Sequence, residues 1–519
     1  MGIEEQGSVI AFLSAPATYG PAAGEVERID THISIVWLAG DRAYKLKRAV
    51  RYDYVDFSSV ERRRLACEAE VALNRRTAPS LYRGVLPVTR ERDGSLALAG
   101  DGVPIDWLVE MQRFDQNTLF DRLADRHQLD MALMGGLADG VARLHSDAER
   151  CLDRGGREGM AWVVDGNALG FSDQGAGVLD ATICRRLTAD TRHVLDRDAR
   201  QLDARRRAGF VRRCHGDLHL RNICLIDGVP TLFDGVEFND DVACIDVLYD
   251  LAFLLMDLWR RDLRQHANMV FNEYLARSGE IDGLGLLPLF LSCRAAVRAK
   301  TSVSAAKVQS DDRQRLGLEG ASREYLALAE RFLSPPLPCL IAVGGFSGSG
   351  KSTLARGLGP DIGAAPGAVI LRSDTIRKSL LGVAPLERLG ADGYSPALTR
   401  RVYDTIRTRA RTALTAGQAA IADAVYARPE DRAAIAEVAR AAGVPFAGLW
   451  LEGTPAVLAE RLATRVHDAS DATIDVLEMQ LESDCGEVEW HRLDASVASE
   501  QVRYSAEQAL GALIQLRRR

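Results

Sequence analysis

A glycine-rich bend constrains this chain more than any other feature of its sequence. The apolar run 340–343 leads into Gly345-Phe346-Ser347-Gly348-Ser349-Gly350-Lys351-Ser352, and 353–358 continues with helical character. The spacing fits G-x-x-x-x-G-K-[ST] in full, a pattern that a strand turning sharply into a helix satisfies. Glycines let backbone N–H groups curl around an anion, and the helix start adds partial positive charge. Lys351 is then placed to reach the β- and γ-phosphates, Ser352 to ligate Mg²⁺, and Thr353 to open the helix, so the expected ligand is Mg·ATP.

The rest of the C-terminal third fits such a bend. Strands are expected near 339, 369, 419 and 446, alternating with helices, the pattern of a parallel α/β sheet. Ligands bind at the carboxyl edge of such a sheet. One strand ends there in Arg372-Ser373-Asp374-Thr375-Ile376-Arg377. Asp374 is expected to accept a proton from an attacking hydroxyl and Arg377 to grip substrate or phosphate; the alternative is a plain helix cap. Ala420-Ile421-Ala422-Asp423 is a second strand ending in an acid, a candidate for Mg²⁺ contact. Arg461 and Arg465 share a helix face and precede a polar stretch, 466–472, read as a lid whose arginines close over the phosphoryl group; the alternative is a solvated basic face. Together these features resemble the small P-loop metabolite kinases, the group related to gluconate kinases and the phage polynucleotide kinase 5′-domain, over about 340–510. The resemblance implies that Asp374 and Arg377 handle the acceptor hydroxyl, while Lys351, Ser352, Arg461 and Arg465 hold the nucleotide.

Ser334-Pro335-Pro336-Leu337-Pro338 ends the preceding helical stretch and stiffens the connection. Before it, 33–38 and 43–46 flank the turn Ala39-Gly40-Asp41-Arg42, 59–76 is helical in period, and 106–111 is another strand. Residues 130–332 are mostly helical, interrupted by a hairpin of 223–226 and 229–233 turning at Asp227-Gly228. Just upstream, His215-Gly216-Asp217-Leu218-His219-Leu220-Arg221-Asn222 has the spacing H-x-D-L-x-x-x-N, in which the Asp orients an acceptor hydroxyl and the Asn binds metal. The hairpin is expected to return Asp234 beside Asn222 as a second metal ligand. Lys45, at a strand end, is expected on the α/β-phosphates with Glu70 as its ion-pair partner, and 107–111 enters a hinge for adenine.

His215-Gly216-Asp217 with Asn222, and Cys244-Ile245-Asp246-Val247-Leu248-Tyr249-Asp250, resemble the aminoglycoside/choline kinase branch over about 30–330. The whole chain is similar to aminoglycoside phosphotransferase-like proteins that carry a C-terminal P-loop kinase domain. The resemblance implies an α+β bilobal protein-kinase-like domain followed by an α/β P-loop NTPase domain with a parallel sheet. The expected boundaries are 1–333 (small lobe about 25–115, helical lobe about 116–333), a linker at 334–338, and 339–519. Asp246 and Asp250 are then mainly structural. Two departures stand out: no G-x-G-x-x-G precedes Lys45, and Asp234-Gly235-Val236-Glu237 replaces Asp-Phe-Gly.

Composition narrows the partners. No apolar segment reaches the ~18 residues of a membrane span, and 249–259, broken by Asp250 and Asp257, reads as a buried helix. The N-terminus lacks a basic signal region, so the cytoplasm is expected. Nine scattered cysteines without a Cys-x-x-Cys pair argue against a disulfide framework and a zinc site. Net charge −7 gives a nucleic-acid partner no support. Only six of the 65 basic residues are lysine, as if an ammonium is kept where a compact charge is needed, and three of the six fall in the motifs above. The expected partners are a nucleotide and a small hydroxyl-bearing metabolite, and the expected reaction is phosphoryl transfer to a sugar, aminosugar or related alcohol at two sites. The competing expectations are a regulatory, non-catalytic N-terminal lobe and a nucleic-acid 5′-end kinase.

Overall fold

The computed structural model describes residues 3–52, 55–384, 386–464 and 470–511. The chain groups into two compact units, Met1–Met160 with Asp203–Leu254, and Ala161–Leu202 with Leu255–Arg519.

The first unit is built on a six-stranded antiparallel sheet of β1 (Glu27–Asp30), β2 (Ser34–Ala39), β3 (Arg42–Lys47), β4 (Tyr82–Arg90), β5 (Leu96–Leu98) and β6 (Val103–Gln112), in the order β1-β2-β3-β6-β4-β5. Alternation along the strands separates two cores. Ile35, Trp37, Tyr44, Leu46 and Leu108 pack on one face with Val9 and Leu13. Leu38, Ala43, Val109 and Met111 pack on the other with Cys67 and Val71 of helix α1 (Val60–Asn74). Ser59 caps that helix by accepting from the Arg62 amide. Further on, β7 (Ile223–Ile226) and β8 (Val229–Leu232) form a hairpin whose turn residues Asp227 and Gly228 have φ of 52° and 77°. Positive φ at both central positions matches the right-handed strand twist, and Asp-Gly supplies it at low strain. Helix α2 (Val247–Arg260) holds the apolar 249–259 stretch, buried through most of its length.

The second unit carries helix α3 (Arg264–Ser278), the long helices Leu287–Lys307 and Asp312–Leu333, and a five-stranded parallel sheet. Its strands β9 (Leu340–Gly345), β10 (Val369–Arg372), β11 (Ala420–Asp423), β12 (Phe446–Glu452) and β13 (His491–Asp494) lie in the order β10-β11-β9-β12-β13. The central strand β9 is buried at every residue, as a parallel strand covered on both faces must be. The edge strand β10 is closed by amide side chains of α3. Asn272 donates to Ala368 O at 3.1 Å and accepts from Ile370 N at 2.7 Å, while Asn268 donates to Pro366 O and Ala368 O. The 334–338 stretch lies inside this unit. Among the described residues, no helix is long and apolar enough to cross a membrane.

Candidate active sites

Parallel register assembles the C-terminal site. Val343 and Arg372 both pair with Asp423, so the ends of β9, β10 and β11 stand together where the glycine loop begins. Gly345, Gly348 and Gly350 have φ of 135°, 83° and 88°. A Cβ would come within 2.6 Å of Leu451 O at Gly345 and 2.5 Å of Leu458 O at Gly348, so the bend requires glycine there. Helix α4 (Lys351–Leu358) starts directly after the loop. Lys351 Nζ donates to Phe346 O at 2.9 Å, the Ser352 hydroxyl donates to Asp423 Oδ2 at 2.6 Å, and Thr353 is exposed. Ser347 and Ser349 are nearly buried, and the Ser347 amide donates to Gln480 Oε1 at 2.8 Å. Gln480 lies on helix α8 (Ile474–Leu481), taking α5 as Ser373–Leu381, α6 as Pro396–Thr415 and α7 as Pro455–Ala463. The curled loop, its helix and the hydroxyl–carboxylate pair at its base fit a Mg-bound triphosphate.

Asp374 opens α5. Burial pushes its carboxyl up, Arg372 and Lys351 oppose this, and Asp423 adds to it. Arg372 lies 3.7 Å from Asp374 and 4.0 Å from Asp423, between the two acids. Arg377 is buried, donating to Gly393 O at 2.9 Å and the Thr399 hydroxyl at 3.3 Å, with its guanidinium 4.8 Å from the Tyr394 ring centre. Asp471 accepts from Lys378 Nζ at 3.2 Å, and from Leu389 N and the Tyr394 hydroxyl at 3.1 Å each. Arg461, on α7, donates to Val497 O at 3.3 Å, and its Nη1 lies 4.0 Å from where a Gly350 Cβ would stand. Arg465 and the first part of the expected lid lie outside the described residues.

The N-terminal site is made of side chains. Lys45 Nζ lies 2.8 Å from Glu70 Oε1 and 2.5 Å from Asp234 Oδ1. Asn222 Nδ2 donates to Asp217 O at 2.9 Å and Asp217 Oδ2 at 3.1 Å, and His219 Nε2 lies 3.3 Å from the same carboxylate oxygen. Phe233 N donates to Asn222 O at 3.0 Å across the base of the hairpin, so Asp234 is the first residue beyond that pairing. Its φ is 61°, and its amide donates to the Tyr82 hydroxyl at 3.1 Å. The Asn222 amide oxygen and the part-exposed Asp234 carboxylate are oxygen donors of the kind Mg²⁺ takes.

Behind this set, Asp250 is fully buried and accepts from the His215 and Gly216 amides at 3.0 and 2.9 Å. His145 Nε2 lies 3.1 Å from the same carboxylate. Burial pushes the His215 imidazole down against the pull of Asp250 and Asp217. Asp246 is gripped by Arg205 at 2.7 and 2.9 Å. Asp250 thus holds the backbone of the loop that carries Asp217, while Asp246 also accepts from the Leu248 amide at 2.9 Å.

Sequence reasoning missed Lys47, Glu237, Arg372, Lys378 and Asp471. Lys47 bonds Glu70 Oε2 at 2.5 Å and also pairs with Glu237. Burial pushes Glu70 up, but its two lysines outweigh this and hold it low; Glu237, facing Lys47 as its nearest cation, stays raised by burial. Period-2 alternation in β3 was the available signal for Lys47. Glu237 stood in the departure from Asp-Phe-Gly and Asp471 in the expected lid, but nothing local marked what they pair with, or the roles of Arg372 and Lys378.

The AAA domain family profile matches residues 340–483. The uncharacterized protein Rv2004c of Mycobacterium tuberculosis is 31% identical over 461 residues, covering 86% of this chain and 88% of the relative. Among solved structures, a gluconokinase from Sinorhizobium meliloti is 25% identical and matches 35% of this chain and 95% of its own, with TM-score 0.25. A choline/ethanolamine kinase family protein from Mesorhizobium loti is 14% identical, matching 64% of this chain and 98% of its own, with TM-score 0.37. On 31% identity across most of both lengths, the chain belongs to the same family as the mycobacterial protein.

Proposed function

We propose that the chain is a bifunctional small-molecule kinase, each site using Mg·ATP to phosphorylate a hydroxyl of a sugar, aminosugar or related metabolite. One observation supports this most directly: each site groups an ammonium, a metal-capable acid and a further aspartate, as Lys45, Asp234 and Asp217 in one and Lys351, Asp423 and Asp374 in the other. Phosphoryl transfer asks a protein for little beyond such positioning and charge stabilisation. The domains in this reading are 1–333 and 339–519, joined by 334–338.

In the first site Asp217 accepts the proton of the acceptor hydroxyl, oriented by the Asn222 amide, while Lys45 turns from Asp234 to the phosphates. Asn222 and Asp234 hold the metal. In the second, Asp374 takes the acceptor proton and Arg377, braced by Gly393, Thr399 and Tyr394, shapes the acceptor side. The loop amides and Lys351 bind the phosphates, with Arg461 and Arg465 closing over them; Ser352 and Asp423 hold the metal. Magnesium, when bound, neutralises charge on the phosphate oxygens.

A second reading makes the N-terminal lobe a regulatory pseudokinase, and the direct Lys45–Asp234 contact favours it, because both groups are engaged with each other. An ATP-consumption screen over hydroxyl-bearing metabolites separates the readings when run on the intact protein, Asp217→Ala and Lys351→Ala. Two acceptor-dependent activities, each lost in one variant, support bifunctionality. A single activity untouched by Asp217→Ala rejects it.

A further inference from the structure

Strand β3 carries a second buried lysine that the transfer chemistry does not use. Side chains alternate along a strand, so Lys45 and Lys47 leave β3 on the same face, toward helix α1. Glu70 on that helix, with no side-chain exposure, meets them with both oxygens, Oε1 at 2.8 Å from Lys45 and Oε2 at 2.5 Å from Lys47. Lys47 also pairs with Glu237, and these two side chains are 2% and 4% exposed. The Lys47 ammonium stands 5.1 Å from the centre of the Phe57 ring. The 234–237 loop is therefore fastened to the sheet twice, by Asp234 on Lys45 and by Glu237 on Lys47.

The two fastenings differ in kind. The Asp234 side chain is 43% exposed, within reach of ligands, whereas Glu237 is shut away. Removing charges from water is costly, and an apolar pair of similar volume would serve packing as well. A buried pair placed directly behind the ligand-facing one has a use that packing does not supply. When Lys45 leaves Asp234, Glu70 keeps one cation and the loop keeps one ionic anchor.

We propose that Lys47 and Glu237 are a positioning pair for the N-terminal phosphoryl-transfer site, holding Glu70 and the 234–237 loop in place so that Lys45 and Asp234 can part, the ammonium to phosphate and the carboxylate to metal. This rests on the phosphotransferase reading of that site. Without the pair, the loop beyond Lys45 is held only through backbone amides, Asp234 N to the Tyr82 hydroxyl, Gly235 N to the Asn74 amide oxygen and Val236 N to His215 O, none of which aims the Asp234 carboxylate.

The test is calorimetric titration of the full chain carrying Lys351→Ala, which weakens the P-loop site so that the N-terminal one is read apart from it, with a non-hydrolysable ATP analogue in Mg²⁺ and again in EDTA. The readout is the ratio of the two affinities. Lys47→Met and Glu237→Gln are each expected to lower that ratio by about tenfold, as loss of a partner behind a metal ligand does. The double variant should match either single one, and Lys47→Arg should restore most of the ratio. An unchanged ratio in either variant, or an equal loss of affinity with and without Mg²⁺, overturns the positioning role. If Lys47→Met does not fold, Glu237→Gln and Lys47→Arg decide by the same criterion. Failure of the Lys351→Ala parent to bind the analogue at all overturns the phosphotransferase reading itself, and the pair's role with it.

Discussion

The two sites hold the lysines proposed to bind phosphate in opposite ways. Lys45 is locked between two carboxylates, Glu70 and Asp234, at 2.8 and 2.5 Å, and is largely shielded from solvent. Lys351 rests on a backbone carbonyl, Phe346 O, at the mouth of a loop whose amides share its task. In the first site nucleotide binding must exchange one set of ionic partners for another. In the second it asks for a reorientation of one side chain toward groups already aimed. Charge assembled from distant side chains is stronger per contact but must be rearranged, whereas charge supplied by a helix start and curled backbone is preorganised.

The largest expected effect comes where the comparison is most lopsided. Asp217→Ala removes the proposed proton acceptor of the first site, and loss of a positioned acid–base group lowers turnover by roughly 10²–10⁴-fold. Acceptor-dependent ATP consumption assigned to that site should fall by this much while the P-loop activity persists. Equal loss of both activities would mean that the sites are not separate. Next in size, Lys351→Ala should weaken Mg·ATP binding at the P-loop by about 10–100-fold, the worth of one charge-assisted hydrogen bond. The smaller figure reflects the amides and helix start that remain. Lys45→Ala at the first site should cost more, and an equal loss at the two sites would break the contrast between side-chain and backbone binding.

The same contrast explains what the sequence disclosed. The glycine bend is contiguous, and Gly345 and Gly350, both at positive φ, stand at the motif's two glycine positions. The strands read at 33–38 and 43–46 are observed at Ser34–Ala39 and Arg42–Lys47, because apolar runs flanking an Ala-Gly-Asp turn leave a local record. The hairpin after Asn222 was legible for the same reason. Lys47 and Glu237 are 190 residues apart, and a pairing of that separation leaves no local pattern. The amide clamp of Asn268 and Asn272 on β10 was equally hidden, since polar side chain to backbone contacts have no period. Composition carried more than expected: Lys45, Lys47, Lys351 and Lys378, four of six lysines, are in or beside the two sites.

That amide clamp supplies a prediction of intermediate size, about the second unit alone. Asn272→Leu would strip a partner from Ile370 N and Ala368 O, and an unsatisfied buried backbone group costs about 1–3 kcal/mol. The melting temperature should fall accordingly. Because β10 leads directly to Asp374, P-loop turnover should fall more than nucleotide affinity does. An equal fall in both would show that the clamp only stabilises.

The smallest effect concerns pH and sharpens the comparison at the acceptor side. Asp374 is raised above its ordinary value of 3.8, first by burial and then by Asp423, while Arg372 and Lys351 hold it down. A proton acceptor must be ionised, so the acid limb of P-loop turnover should lie above the usual aspartate range. Arg372→Leu removes the cation 3.7 Å from Asp374, which disfavours the carboxylate further and moves the limb to higher pH. At a pH between the two limbs the variant has its base protonated and is slower; at higher pH it regains most of its rate. Recovery at alkaline pH distinguishes a tuned base from a collapsed site, because a misfolded acceptor pocket would be slow at every pH. The N-terminal site should not move, since Arg372 belongs to the other set of charges.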